Sequence, residues 1–356
     1  MNPTQALHDA GQSLWLDNIT RTILDDGTLA GYINDLSVTG LTSNPTIFEK
    51  AISGGGAYEA QIEECQAKGL SDEETFFELA IADLQRAADL FLPVHEESAG
   101  VDGYVSLEVS PELAYDTDST IDQATSLHAE AGRPNLFIKI PGTPEGLPAI
   151  EEAIYSGVPV NVTLLFSADQ YLAAAEAYHK GLDRRIAEGL SPDVRSVASV
   201  FISRWDVAAN EDVPPQLHNK LGLAVGEDCY RAYRELLASD RFQKLESEGA
   251  RPQRLLQAST GTKDPNASDI LYVEGLAAPN TVNTMPENTL LAYADHGPAE
   301  PRLLSPDGGD SATVMKEFTE AGVDLGALAA RLQSEGADAF VKSWKSLIGT
   351  IASERS

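Results

Sequence analysis

A lysine, Lys139, interrupts the apolar run NLFIKI at residues 135–140. Strand side chains alternate between faces, so Leu136, Ile138 and Ile140 share one face while Asn135, Phe137 and Lys139 share the other. If both faces of the strand are covered, the ammonium group is taken out of water, and lysine is almost never buried without a partner or a task. Burial disfavours the charged form and favours a neutral, nucleophilic amine, the group that condenses with a carbonyl to form a Schiff base. Alone, such a lysine is more simply read as one that snorkels out at a strand end beside Pro141 and Gly142. Four further strand-like runs repeat the anomaly. YVSLEV places Tyr104, Ser106 and Glu108 on one face, VNVTLL pairs Asn161 with Thr163, GLTSN pairs Thr42 with Asn44, and SLWLD ends in Asp17. Most of these polar residues stand near the C-terminal end of an apolar run, just before a loop. Together they supply an amine, two carboxylates able to move protons, and amides and hydroxyls able to hold a substrate hydroxyl or a water.

The elements that must carry these residues are short apolar runs alternating with longer acidic, amphipathic ones. Strands are expected at Ser13–Asp17, Ser37–Ser43, Gly103–Val109, Asn135–Ile140, Pro159–Leu165, Ser196–Ser203, Arg254–Ser259 and Asn280–Thr284. Helix starts are signalled between them. Ser71 precedes DEETFFELAIADL, with acids in the first turn, and Ser167 precedes ADQYLAAAEAY, with Gln170 spaced for a capping box. Eight strands alternating with helices predict a parallel α/β sheet, and eight is the number that closes a (β/α)8 TIM barrel, whose chemistry sits at the C-terminal ends of the strands. A doubly wound open sheet fits less well, because no G-x-G-x-x-G follows an early strand. Residues 314–353 are helical in pattern with no strand and are expected to pack on the barrel as a cap. The glycine run at 54–56 and the Pro/Gly-rich stretch at 297–309 do not divide the chain into two independently alternating halves, so one barrel domain over 1–356 is expected.

Composition narrows the function. The chain has 55 Asp and Glu against 25 Lys and Arg, a net charge of −30. Such a chain repels a phosphate backbone and an anionic bilayer, which excludes nucleic acid and membrane surfaces as partners. Six histidines are scattered without ligand spacing, so no metal is expected and each is read as a surface residue. Cys65 and Cys229 are read as thiols at least half-buried. With no basic–apolar leader and no apolar span of about 18 residues, the expected location is the cytoplasm.

The motifs SLWLDNI, TGLTSNPTIF, VSLEVSPELAYD, FIKIPGTPEGLPAIE, VNVTLLFS and SVASVFISRWD, in this order, resemble the transaldolase family, in its longer bacterial branch without a fused phosphoglucose isomerase domain. The resemblance runs from about residue 12 to about residue 350. It implies a barrel of the class I aldolase type, with no metal or organic cofactor. The implied reaction transfers a dihydroxyacetone unit from sedoheptulose 7-phosphate to glyceraldehyde 3-phosphate, giving erythrose 4-phosphate and fructose 6-phosphate in the non-oxidative pentose phosphate pathway. By motif, Lys139 corresponds to the Schiff-base lysine and Asp17 to the acid/base carboxylate of carbon–carbon cleavage. Glu108 and Thr163 correspond to the pair that positions a catalytic water, and Asn44 and Asn161 to residues holding the dihydroxyacetone hydroxyls, with Thr42 beside them. Ser199 and Arg204 match the Ser and Arg lining the substrate and phosphate positions.

One segment departs from the shorter members of that family, which carry an arginine in the loop after the seventh strand; here the loop reads QASTGTKDP. Lys263 is assigned its role, with Ser259 and the backbone at Gly261 assisting, and a lysine contacts phosphate as a point charge instead of a bidentate fork. Partners are then sugar phosphates, bound by a monomer or homodimer. Two other readings compete: an aldolase of the fructose 6-phosphate type that releases free dihydroxyacetone, and a non-catalytic sugar-phosphate-binding barrel. The last leaves a buried lysine with two carboxylates unexplained.

Overall fold

The computed structural model describes residues 2–354, so the expected domain span of 1–356 includes Met1, Arg355 and Ser356, which lie outside the described residues. All eight expected strands are present: β1 (Ser13–Leu16), β2 (Val38–Leu41), β3 (Val105–Glu108), β4 (Leu136–Pro141), β5 (Val160–Leu165), β6 (Ser196–Phe201), β7 (Gln253–Ala258) and β8 (Val282–Met285). Seven parallel pairings link them in the order β2-β1-β8-β7-β6-β5-β4-β3. The ring closes between β2 and β3, where the Leu41 N–H donates to Tyr104 O at 2.9 Å and the Gly103 N–H to Thr39 O at 2.9 Å. The result is the expected (β/α)8 barrel with helices between successive strands.

Strand ends differ from those expected by a residue or two, most of them shorter and β4, β7 and β8 each one residue longer at one end. Ser37, expected in β2, caps the preceding helix Thr28–Leu36 with φ +56°, and Ser203, expected in β6, already opens the helix Ser203–Ala209. Ser71 heads a full capping box with Glu74 on the helix Asp72–Glu97. Ser167 caps the helix Ala168–Ala187 as expected, but Gln170 does not close the box: its Oε1 accepts from the Phe166 N–H at 2.7 Å, one residue earlier. Both cysteines are buried thiols. The surface reading of the histidines fails for His179, which is buried and stacked on Phe242 at 5.7 Å between ring centroids. Burial pushes its imidazole down to about 4, so it is neutral. Of the other five, His296 is exposed and the remaining four are half-buried. Among the described residues no helix is long and apolar enough to cross a membrane.

What positions the site is the way the barrel is filled. Trp15, Tyr104 and Phe137 form an aromatic floor, with Tyr104 and Phe137 stacked at 4.1 Å and Trp15 at 6.2 Å from Phe137. The Trp15 indole N–H donates to Asp102 Oδ1 at 2.7 Å, satisfying its polar atom. Two residues along each of those strands, on the same inward face, come Asp17, Ser106 and Lys139. The indole fits only because Gly40 of β2 has no side chain: a Cβ there would stand 2.7 Å from the Trp15 ring and 2.7 Å from Tyr104 O. Residues 311–354 form the two helices Ser311–Glu320 and Leu325–Glu354, without a strand, as the pattern of 314–353 predicts. The second lies across the C-terminal end of the barrel, its Trp344 edge-on to Phe76 at 4.9 Å and its Ser343 Oγ accepting from Thr46 Oγ at 2.8 Å.

The fit at Gly40 generates a test. Gly40→Ala should lower unfolding free energy by about 2 kcal/mol or more, the cost of overpacking a closed layer, measured by urea or thermal denaturation. A loss within about 0.5 kcal/mol, the range of indifferent surface changes, would show that the floor has slack.

Candidate functional site

Strand register brings the chemistry together. Glu108 of β3 lies opposite Lys139 of β4, and Lys139 lies opposite Asn161 of β5. Neighbouring strands are about 5 Å apart, so inward side chains at one height on adjacent strands come close together. Lys139 is 5% exposed and Glu108 6%. The ammonium donates to Glu108 Oε2 at 3.0 Å and to Ser43 O at 2.8 Å. A buried charge pair persists only when geometry and further hydrogen bonds compensate its lost hydration, and here both do.

The second carboxylate comes from β1's end. Asp17 Oδ1 accepts from the Thr42 hydroxyl at 2.8 Å, and Thr42 Oγ lies 2.7 Å from Thr284 Oγ. Because Thr42 spends its single proton on Asp17, Thr284 is the donor in that second bond. Burial is the largest influence on Asp17 and pushes its carboxyl above the usual range, against the opposing charge of Lys139, the Thr42 bond and the more distant Lys263. Glu108 is likewise pushed up, first by burial, with Lys139 opposing and Asp17 adding to the rise. A raised Glu108 next to an amine is a proton acceptor for it, so the pair can exchange one proton along a bond that already exists.

Asn44 caps the helix Pro45–Ser53, its Oδ1 accepting from the Ile47 N–H at 3.1 Å, which commits the oxygen and leaves the Nδ2 donors for the cleft. Asn161 is fully buried: its Nδ2 donates to Ser106 Oγ at 3.1 Å and its Oδ1 accepts from Ser199 Oγ at 2.7 Å. Thr163 Oγ and Glu108 Oε1 are buried polar atoms with no protein hydrogen-bond partner. Such orphans are expensive unless a ligand or water serves them.

A cleft of about 370 Å³ opens over these groups at the C-terminal ends of the strands. Of the residues singled out from sequence, Asp17, Thr42, Asn44, Lys139, Thr163, Ser199, Arg204, Ser259 and Lys263 line it. Glu108 and Asn161 do not; they lie below, holding Lys139 and Ser199 respectively. Ser259 has φ +56° and its hydroxyl is 2.9 Å from Ser203 Oγ, a left-handed residue directly after the end of β7. Arg204 is sandwiched near two aromatic rings, 5.2 Å from the Phe201 centroid and 5.9 Å from that of Phe340. It is mostly shielded from water, and that desolvation lowers its guanidinium from the usual value.

The sequence reading missed Lys50, Thr284 and Phe340, all on the cleft. Thr284 was legible in principle as the last polar residue of the run ending β8. Lys50 sits on the helix after β2 and reads as an ordinary surface lysine, and Phe340 comes from the C-terminal helix, where it stands 5.9 Å from Lys139 Nζ. Lys50, Lys263 and Arg204 place three cations at the rim of a chain whose net charge is −30. Among the described residues, no three His, Cys, Asp or Glu side chains are grouped to hold a metal ion.

The arrangement is a buried lysine paired with one carboxylate, with a second carboxylate nearby, at the bottom of a cation-rimmed cleft. Residues 14–351 match the family described as Transaldolase/Fructose-6-phosphate aldolase. The chain is 46% identical to a protein of Saccharopolyspora erythraea named Transaldolase, over 98% of this chain and 96% of that one. A Thiobacillus denitrificans protein of the same name is 44% identical over 99% of this chain and all of its own length. A third, from Mycolicibacterium smegmatis and also named Transaldolase, is 44% identical over 96% of this chain and 95% of its own.

Asp17 generates a stability test with a definite sign. A raised carboxyl holds a proton in the folded state that the unfolded state has released, so its ionisation costs stability as pH climbs from the ordinary carboxylate range through the raised value. The neutral isostere Asp17→Asn should therefore melt a few degrees above the parent near about pH 7.5, with the gap narrowing toward about pH 4 where both are uncharged. Calorimetry checks it; a variant that melts lower near neutrality contradicts the burial argument.

Proposed function

The chain belongs to the transaldolase/fructose-6-phosphate aldolase family, and from that premise we propose that it transfers a dihydroxyacetone unit between sugar phosphates through a Schiff base on Lys139. The donor is a ketose phosphate of the sedoheptulose 7-phosphate kind and the acceptor an aldose phosphate of the glyceraldehyde 3-phosphate kind. The observation that carries the reading is the Lys139–Glu108 pair, 3.0 Å apart and buried at the bottom of the cleft with Asp17 beside it. A binding site has no use for a buried nucleophile. Full-length relatives named Transaldolase favour transfer over release of free dihydroxyacetone, the aldolase alternative. A cytoplasmic role in the non-oxidative pentose phosphate pathway accompanies this reading.

The steps follow from the groups available. Glu108 takes a proton from Lys139, and the free amine attacks the ketose carbonyl at C2, forming a C–N bond while the carbonyl oxygen gains a proton. The nitrogen then gives a proton to Glu108, which passes it to the new hydroxyl, and departure of that oxygen as water leaves an iminium ion. Glu108 and Thr163, each with a buried oxygen that has no protein partner, are the pair that holds this water and returns it at the end. Asp17 then removes the proton of the C4 hydroxyl. The C3–C4 bond breaks, its electrons passing into the iminium to give an enamine, and the aldose departs. An acceptor aldehyde reverses the sequence: C3 of the enamine adds to its carbonyl carbon, and Asp17 returns the proton to the new alkoxide. Asn44 Nδ2 and Ser199 Oγ serve the dihydroxyacetone hydroxyls, and Asn161, one layer down, orients Ser199. No step requires a cofactor.

Binding of the distal phosphate falls to the rim. Arg204 is stacked and preorganised, and Lys263 with the left-handed turn at Ser259 completes the anion site from the other side. Lys50 adds a third positive charge from the helix after β2.

Two experiments test the reading. Incubation with fructose 6-phosphate followed by borohydride should leave a reduced dihydroxyacetone adduct on Lys139, found by peptide mass spectrometry, and Lys139→Ala should lower kcat by on the order of 10⁵-fold. An adduct-free Lys139, or release of dihydroxyacetone at equal rate with and without erythrose 4-phosphate, overturns transfer. Arg204→Ala should raise KM for phosphorylated substrates about 10- to 100-fold, the value of a charge-assisted contact remote from the breaking bond. Steady-state kinetics with an unchanged KM removes Arg204 from the phosphate site.

A further inference from the structure

The helix Leu325–Glu354 touches the site through one narrow face. Gln333, Gly336 and Phe340, spaced i, i+3 and i+7, fall on that face. Phe340 roofs the amine, as described above. Gly336 leaves room for the guanidinium below it, since a Cβ at this position would stand 3.0 Å from Arg204 Nη1 and 2.9 Å from Leu164 Cδ2. Gln333 is 9% exposed, and its Nε2 donates to Gly142 O at 3.0 Å and to Leu164 O at 2.9 Å.

Those two carbonyls are special. Gly142 directly follows the end of β4, the strand of Lys139, and Leu164 directly follows Thr163 on β5. Leu164 is a buried leucine with φ +60°, a left-handed conformation that its side chain disfavours, and the β5–β6 register slips between Val162 and Leu165. The Gly142 N–H meanwhile donates to Thr163 O at 2.7 Å. The Thr163–Leu164 bulge is thus gripped twice: from β4 at one carbonyl and from the C-terminal helix at the next. A backbone in such a conformation persists only where its surroundings over-determine it.

We propose that Gln333 is a positioning residue for the reaction: by bridging the Gly142 and Leu164 carbonyls it fixes the bulge that presents Thr163 to the cleft, and it ties the end of the Lys139 strand to the same point. Its carboxamide supplies two N–H donors on one nitrogen, which is what two converging carbonyls require and what no aliphatic side chain of similar length provides. The inference rests on Lys139 and Thr163 being working residues, and the experiment separates the two.

The variant Gln333→Met keeps length and burial while removing the donors. In a preparation shown by circular dichroism and thermal melting to be folded, kcat should fall about 10- to 100-fold, the effect of a small misplacement of reacting groups. KM for the phosphorylated substrates should stay within about threefold, because the rim cations are untouched. Ser343→Ala, which loosens the same helix at its contact with Thr46 without touching the bulge, should leave kcat within about twofold of the parent. Should the methionine variant not fold, Gln333→Asn, one methylene short of both carbonyls, gives the same comparison. Borohydride trapping on the parent enzyme reports independently on Lys139. A parent that forms the adduct while folded Gln333→Met turns over at the parent's kcat overturns the positioning role and leaves the Schiff base intact. An equal loss in Ser343→Ala overturns it too, since generic loosening would then suffice.

Discussion

A positive and a negative charge held 3.0 Å apart out of contact with water constrain everything around them. Each partner alone would be a severe cost in that interior, so neither can be moved or removed without the other. The backbone carbonyl of Ser43 takes a second proton of the ammonium, which ties β2 to the pair as well. The barrel is the scaffold that makes this possible: parallel strands in register put Glu108, Lys139 and Asn161 at one height on three consecutive strands. Below them the aromatic floor keeps water out from the other end of the barrel.

The floor and the roof come from different kinds of information. Trp15, Tyr104 and Phe137 are on the strands that carry the chemistry, two residues before it, so one alternation places both layers. The roof has no such coupling. Phe340 and Gln333 belong to a helix whose nearest strand in sequence is far away, and they reach the site through packing on Phe76, Phe77 and the helix Pro45–Ser53.

That difference explains how much was legible beforehand. The polar residues that break apolar runs, Lys139, Glu108, Asp17, Thr42, Asn161 and Thr163, identified the barrel face and its open end, because a strand's period is short and a charge inside it has few innocent explanations. Glu108 and Asn161 proved to lie under the cleft instead of in its wall, a distinction of depth that alternation does not encode. Lys50 and Phe340 were invisible for a different reason: on an amphipathic helix a lysine or a phenylalanine is ordinary, and only the tertiary contact gives it meaning. His179 shows the converse, a histidine that spacing assigned to the surface and packing drew inward.

The hydroxyl pair Thr46 and Ser343 brings together positions 297 residues apart in the chain. Loop closure over such a separation is costly compared with the pairing of successive strands, and closing the ring between β1 and β8, where Ser13 stands opposite Val282, is nearly as long-range. The ring and its roof therefore make the same demand on the chain, that its two ends meet, and the buried lysine is enclosed only once both contacts are made.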